Sequence, residues 1–240
     1  MPLAERDQHP ATFFKRSTSV MNFPDPRAAN YGDIVAVGGN LDPSNLLAAY
    51  RRGIFPWPVE GCPLPWFSPR ERAILEWRDL HVPRRLARLA RQSPYRFTVD
   101  AAFPRVVLQC AIVERPEEGG TWITPEVFEA YCALQRLGHA HSVEAWENDE
   151  LVGGVYGVDA GGAFAGESMF YLRPNASKLA LLHLFERLNA RGLDWIDIQV
   201  MTPHMKALGA KLISRAAFID KLNDALRRGR ELFPSPPGRG

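Results

Sequence analysis

The stretch from His141 to Leu172 limits the possible folds more than any other part of the chain. His141 to Trp146 alternates, Glu147-Asn148-Asp149-Glu150 supplies turn formers, and Leu151 to Val158 returns. Gly161-Gly162 then turns again and Ala163 to Leu172 completes three antiparallel strands. Asn175 or Ser177 caps the helix that follows, with Leu179, Leu182 and Leu188 on its inner side, and Gly192 closes it. Trp195-Ile196-Asp197-Ile198-Gln199 reads as a short buried strand, which completes one βαβ step. Upstream, Arg96 to Asp100 is a strand and Phe103 to Val113 a helix, while Thr124-Pro125-Glu126 opens a helix that ends at Gly138. A last helix covers Ala216 to Leu226. This order specifies an α+β fold with a mostly antiparallel sheet.

Residues 1–72 read as a small, loop-rich N-terminal domain whose first twenty or so residues are a loose tail. Pro and Gly are dense from Phe23 to Arg72, and the one clear helix there starts near Asp42-Pro43-Ser44, runs through Leu46, Leu47 and Tyr50, and stops at Gly53. Residues 73–232 form the main domain, and 233–240, rich in proline, a flexible tail. A chain of 240 residues with 46% hydrophobic and 23% charged is neither disordered nor collagenous nor a coiled coil. No apolar segment approaches a membrane span, and Met1 to Val20 lacks the apolar core of a signal peptide. Cys62, Cys110 and Cys132 are odd in number and form no C-x-x-C pair, so a cytoplasmic location without disulfides or a zinc knuckle is expected. His139 and His141 share a strand parity, but no third ligand stands at a matching spacing, and no metal is expected. Cys110 and Cys132 fall among apolar helix neighbours and read as inert.

The net charge of +2 means that any grip on a polyanion must come from local clustering. Between Arg78 and Arg96 six arginines face a single acid, Asp79. Pro83 opens a helix that turns Leu86 and Leu89 inward and Arg84, Arg88 and Arg91 outward on one face. Such a stripe is either a solvated surface or a track for RNA phosphates.

The order of elements resembles that of acyltransferases of the GNAT type, an analogy that points to acyl transfer. More specific are the strings Gly32-Asp33-Ile34-Val35-Ala36-Val37-Gly38-Gly39-Asn40-Leu41, Ala49-Tyr50-Arg51-Arg52-Gly53-Ile54-Phe55-Pro56-Trp57 and Gly120-Thr121-Trp122-Ile123-Thr124. With them stand Leu137-Gly138-His139-Ala140-His141-Ser142, Gly166-Glu167-Ser168-Met169-Phe170, Asn175-Ala176-Ser177-Lys178 and Ile196-Asp197-Ile198-Gln199. In this order and spacing they resemble the bacterial leucyl/phenylalanyl-tRNA–protein transferase family across Phe23 to Leu226. The resemblance implies a GNAT-like catalytic domain that takes Leu, Phe or, less readily, Met from aminoacyl-tRNA. It implies a peptide bond to a protein that begins with Arg or Lys, which marks that protein for the N-end rule degradation pathway. Two positions depart from the family pattern. Ile198 stands where cysteine is common, and Thr202 replaces an Asn proposed to help at the reacting carbonyl, so that part is open here.

An aminoacyl ester is already activated, so its transfer to an amine needs no ATP, cofactor or metal. Alignment of the two reactants alone is worth roughly 7–11 kcal/mol in favourable cases. The attacking α-amine, with a pKa of about 7.7–8.0, needs only modest help with its proton. Asp197 and Gln199 are two apart on a strand and emerge on one face, with Ile196, Ile198 and Val200 pointing the other way into apolar packing. The resemblance makes them the catalytic pair: Asp197 orients Gln199, whose amide oxygen accepts a hydrogen bond from the amine. Without it, an Asp197 satisfied by a neighbouring Arg or helix N-terminus is the plainer reading. Glu167 is a carboxylate in an apolar strand and needs a partner. The resemblance supplies the donor's α-amino group or terminal nucleotide, where spacing alone would supply an Arg.

The same resemblance assigns Val155, Phe164 and Met169 to an aminoacyl pocket, with Ser168 beside them, although they could equally be ordinary core. Strand parity puts Phe164 and Met169 on opposite faces unless the strand bulges near Gly166. Trp57 and Trp122 would stack on the terminal adenosine, or else plug the core. Arg84, Arg88 and Arg91 would hold acceptor-stem phosphates. Two rivals stand beside this reading. An acetyl-CoA-dependent N-acetyltransferase would need a glycine-rich phosphate cradle that Leu172 to Ser177 lacks, and a non-catalytic RNA-binding module would be indifferent to changes at Asp197 or Gln199.

Overall fold

A computed structural model describes residues 20–29, 32–113 and 121–234. The expected tails at 1–19 and 235–240, and Gly120, lie outside them. The first elements are β1 (Ile34–Val37), α1 (Pro43–Tyr50), β2 (Phe55–Pro56) and β3 (Pro65–Phe67), and β3 pairs antiparallel with both neighbours. α1 begins at the expected proline, whose fixed φ suits a first turn, and Gly53, at φ +74°, ends the turn that follows it. Next come β4 (Glu71–Glu76), α2 (Arg84–Arg91), β5 (Arg96–Val99), α3 (Phe103–Ile112) and α4 (Pro125–Arg136). The Thr124 hydroxyl caps α4 by accepting from the Val127 N–H. The three expected strands are β6 (Ala140–Glu147), β7 (Glu150–Asp159) and β8 (Phe164–Tyr171). They are followed by α5 (Ala176–Ala190), β9 (Trp195–Gln199), α6 (Pro203–Ala207), β10 (Lys211–Ser214) and α7 (Arg215–Arg228).

A seven-stranded sheet runs β10-β4-β9-β8-β7-β6-β5, and every pair in it is antiparallel except β8 with β9. The architecture is therefore mixed α and β with mostly antiparallel sheets and a separate small sheet at the N-terminal end. Side chains alternate along β7 between two cores. Tyr156 joins Leu46, Trp66, Phe103 and Tyr131 on the face covered by α1, α3 and α4, while Val155 joins Ile74, Phe185, Trp195 and Phe218 under α5 and α7. Among the described residues no helix is long and apolar enough to cross a membrane.

Several expectations need correction. β4, α6 and β10 were not foreseen. In β4 the buried Arg72 and Glu76 interrupt what would otherwise read as an apolar strand, and α6 and β10 hold only five and four residues. The expected junction between 72 and 73 falls inside β4, which is paired on both sides. Neither Asn175 nor Ser177 caps α5: Asn175 occupies the cap position in a left-handed conformation without a side-chain bond, and Ser177 lies inside the helix. Phe233, expected in the C-terminal tail, is packed: it stacks on His141 at 3.9 Å and meets Phe164 at 5.6 Å between centroids.

Candidate active site

Two bulges in adjacent strands build the site. Tyr156 pairs with Ser168 and Gly157 with Gly166, which leaves Glu167 as an extra residue in β8. Ala73 pairs with Gln199 and Ile74 with Asp197, which leaves Ile198 as an extra residue in β9. Bulges re-aim side chains, and here they do so where β8 and β9 part company. The two strands share one register pair, Ala165 with Asp197, and beyond it a cleft of about 660 Å³ opens. Val155, Glu167, Ser168, Met169, Leu181 and Ile198 are among the residues that line it.

The bulge in β8 answers the parity question at Gly166. One extra residue brings Phe164 and Met169 to the same face, and both pack with the core under α5. Only Met169 reaches the cleft. Phe164 is 1% exposed and lies tight against Gly157, where an added Cβ would come within 2.5 Å of its ring and 2.2 Å of the Ala165 carbonyl oxygen. Its expected place in the pocket is therefore corrected to one in the core. Ile196 is fully buried in the core under α5 and Ile198 packs against that core, as expected, and both also form part of the cleft wall, whereas Val200 is exposed at its edge.

Glu167 is half-buried in the cleft wall. Its Oε1 accepts from Gln199 Nε2 at 2.7 Å, and its Oε2 accepts from the Tyr131 hydroxyl at 3.3 Å. The Tyr131 hydroxyl is in turn bonded to that of Tyr50. Burial pushes the Glu167 carboxyl up to about 7, and the charge of Asp197 adds to the rise. Hydrogen bonds from Tyr50, Gln199 and Tyr131 pull it back, and burial raises both tyrosine hydroxyls well above their ordinary range. No Arg pairs with Glu167 among the described residues, contrary to what spacing alone would give. The expected stacking residues adjoin this network: Trp122 meets Tyr131 edge-on at 6.2 Å and stacks on Trp57 at 6.2 Å and 28°. Trp57 is 38% exposed, so part of the indole meets solvent.

Behind Glu167, Asp197 and Gln199 are 5% and 6% exposed and do not themselves line the cleft. Arg72 chelates Asp197, with Nε to Oδ1 at 2.8 Å and Nη2 to Oδ2 at 2.7 Å. The guanidinium sits between the rings of Phe55 and Phe218, 4.7 and 4.4 Å from their centroids. An arginine partner is thus present, and Asp197 Oδ1 also accepts from the Gln199 backbone N–H at 2.9 Å. That bond pins Gln199 at φ +64°, a left-handed conformation that costs a non-glycine residue about 1–3 kcal/mol. Asp197 is therefore a positioning residue with both oxygens engaged by protein. Because Gln199 Nε2 is held by Glu167, the amide oxygen is left as the acceptor.

Sequence reasoning missed Arg72, Tyr50 and Tyr131, although a charged residue inside the apolar run of β4 was a visible sign of the first. On α2, Leu86 is buried, and Arg84, Arg85, Arg88 and Arg91 are exposed with no carboxylate partner among the described residues. No group of three or more His, Cys, Asp or Glu among the described residues could hold a metal ion.

Residues 74–223 match the family model described as leucyl/phenylalanyl-tRNA protein transferase, and residues 39–70 match that of its N-terminal domain. The chain is similar to the leucyl/phenylalanyl-tRNA–protein transferase of Anaeromyxobacter sp. (strain K), with 49% identity over 206 residues, 86% of this chain and 88% of the relative. It is 50% identical to that of Anaeromyxobacter sp. (strain Fw109-5) over 87% of this chain and 88% of the relative. For that of Nitratidesulfovibrio vulgaris (strain DP4) the identity is 47%, over 90% and 91%. A solved structure of a functionally unknown conserved protein from Staphylococcus epidermidis ATCC 12228 matches at a TM-score of 0.41 with 13% identity over 60% of this chain and 57% of that one, too low to carry an argument.

Proposed function

The chain belongs to the leucyl/phenylalanyl-tRNA–protein transferase family of aminoacyltransferases, and from that premise we propose that its cleft joins Leu, Phe or Met from charged tRNA to proteins that begin with Arg or Lys. The product carries an N-end rule signal, and the reaction takes place in the cytoplasm. The unit built on the seven-stranded sheet, from β4 to α7, acts as a GNAT-like catalytic unit, a reading supported by the order of its elements, with the N-terminal unit contributing Tyr50 and Trp57.

The observation that carries this reading is the cleft where β8 and β9 separate, apolar along Val155, Met169, Leu181 and Ile198 and with one carboxyl, Glu167, in its wall. An unbranched, adaptable Met169 beside aliphatic neighbours suits the side chains of Leu, Phe and Met. Glu167, with Ser168 next to it, faces the donor's amino acid at the reacting end. The donor's terminal adenine stacks on the Trp57–Trp122 pair, which suits any tRNA because the 3′ end is shared.

The acceptor's neutral amine attacks the ester carbonyl carbon, a C–N bond forms, and the ester C–O bond breaks with the ribose oxygen as leaving group. Gln199 stands behind the cleft wall and acts through Glu167: its amide N–H fixes the Glu167 oxygen that meets the amine, so that the amine's lone pair is aimed at the carbonyl. Glu167, poised near neutrality, takes the proton that the amine sheds and returns one to the ribose oxygen. Arg72 and Asp197 act through Gln199 by holding its backbone. No ATP, metal or cofactor enters this balance.

The test is transfer of labelled Leu or Phe from charged tRNA to a peptide beginning with Arg, without added ATP or metal. Labelling from acetyl-CoA in its place would favour an acetyltransferase, and binding of tRNA without transfer would favour an RNA-binding module. The α2 stripe has its own expectation. Arg84→Ala with Arg88→Ala should raise the KM for charged tRNA and reduce the log–log salt slope by about 1.8, near 0.9 for each lost phosphate contact. An unchanged slope would make the stripe a solvated surface.

A further inference from the structure

A second cavity, of about 350 Å³, lies between α2 and the walls of the cleft. Arg85 and Leu86 of α2 line one side, and Asn175, Lys178, His204 and Leu208 line the other. Asn175, Lys178 and His204 also line the cleft, so the two spaces share a wall. No carboxylate lines this cavity. Lys178 is half-buried and, like Arg85, has no acidic partner among the described residues. The Nε2 atom of His204 is buried without a hydrogen-bond partner. Burial, aided by the charge of Lys178, lowers the imidazole pKa and so favours the neutral ring, which can donate or accept according to its tautomer. Two cations, an unspent imidazole and the absence of any acid together describe a site for an oxyanion.

We propose that this cavity seats a backbone phosphate of the single-stranded 3′ end of the donor RNA, between a stem lying along α2 and the esterified sugar at the cleft. The identity of the strand rests on the transferase reading above, whereas the anion site does not. Arg85 contributes a planar, multidentate donor, Lys178 a compact charge and His204 a neutral hydrogen bond, so the phosphate is held at a fixed distance from the reacting ester. The α2 arginines on the open face hold the stem loosely by charge, while this cavity sets how far the 3′ end reaches into the cleft.

Two measurements test this. The first compares binding of 3′-deoxy-3′-(phenylalanylamido)adenosine, which carries no phosphate, with that of the CCA trinucleotide ending in the same amide-linked nucleoside. Wild-type protein should bind the trinucleotide about tenfold more tightly, and Arg85→Ala with Lys178→Gln should reduce that ratio to within twofold. Equal affinities in the wild type, or a tenfold ratio that survives the double substitution, would overturn the proposal. The second titrates inorganic phosphate while the His204 imidazole resonance is followed. A saturable shift that the double substitution abolishes supports the site, and no shift in the wild type refutes it. If the phosphate-free nucleoside fails to bind while the phosphate titration saturates, the donor reading falls and the anion site stands.

Discussion

Arg72→Met should destabilise the protein by about 3–5 kcal/mol, the cost of leaving a buried carboxylate without its partner. For a chain of this length that corresponds to a fall of roughly 6–20 °C in the thermal midpoint. The magnitude follows from burial: Arg72 is 1% exposed and Asp197 5%, both guanidinium–carboxylate bonds are short, and no water-facing side remains to solvate the orphaned charge. Replacing both partners, as Arg72→Met with Asp197→Leu, should restore most of the stability because a buried pair is seldom worth more than well-packed apolar groups. The double variant should nonetheless transfer amino acids poorly, since the Gln199 backbone loses the acceptor that keeps it left-handed. Thermal melts with transfer rates on the same samples separate the two effects. A double variant that is both stable and fully active would show that the pair serves stability alone.

Glu167→Gln should lower kcat at least a hundredfold, the lower end of what a positioned acid–base group supplies, with the fold retained because size and most hydrogen bonding are preserved. In the wild type the ionised carboxyl is the active form, so the rate should rise with pH through about 7, where burial has moved this group. Tyr131→Phe removes a hydrogen bond that favours the ionised form, and so should shift that rise to higher pH. The same ionisation affects stability. An acid whose folded pKa is raised weakens the fold as pH climbs from the usual carboxylate range to about 7, so Glu167→Gln should be relatively more stable above pH 7 than at pH 5. Rate–pH profiles of the three proteins test the assignment, and superimposable profiles would remove Glu167 from the proton path.

Much of this was legible in the residues. The turns at Glu147–Glu150 and Gly161-Gly162, the Thr124 cap and the Gly192 stop mark elements that local chemistry decides, and each lies where expected. The bulges at Glu167 and Ile198 were not, because an extra residue is defined only against the partner strand. Their effect spreads beyond themselves: a strict two-residue alternation puts Phe164 on the face away from Met169, and the bulge at Glu167 brings the two to one face. Tyr50 and Tyr131 reach Glu167 from helices in distant parts of the chain, so nothing local to Glu167 announces them. Arg72 was assigned to the small N-terminal unit because Pro and Gly dominate its neighbourhood, and only the pairing of β4 with β9 brings it to Asp197.

The most direct test of the account is single-turnover transfer of labelled phenylalanine from phenylalanyl-tRNA to an Arg-initiated peptide by Gln199→Ala, with tRNA affinity measured alongside. Loss of alignment at the reacting amine predicts a rate about a hundredfold lower with a dissociation constant within twofold of wild type. A wild-type rate at unchanged affinity would contradict the claim that this amide, braced by Asp197 and Arg72 and tied to Glu167, brings amine and ester together.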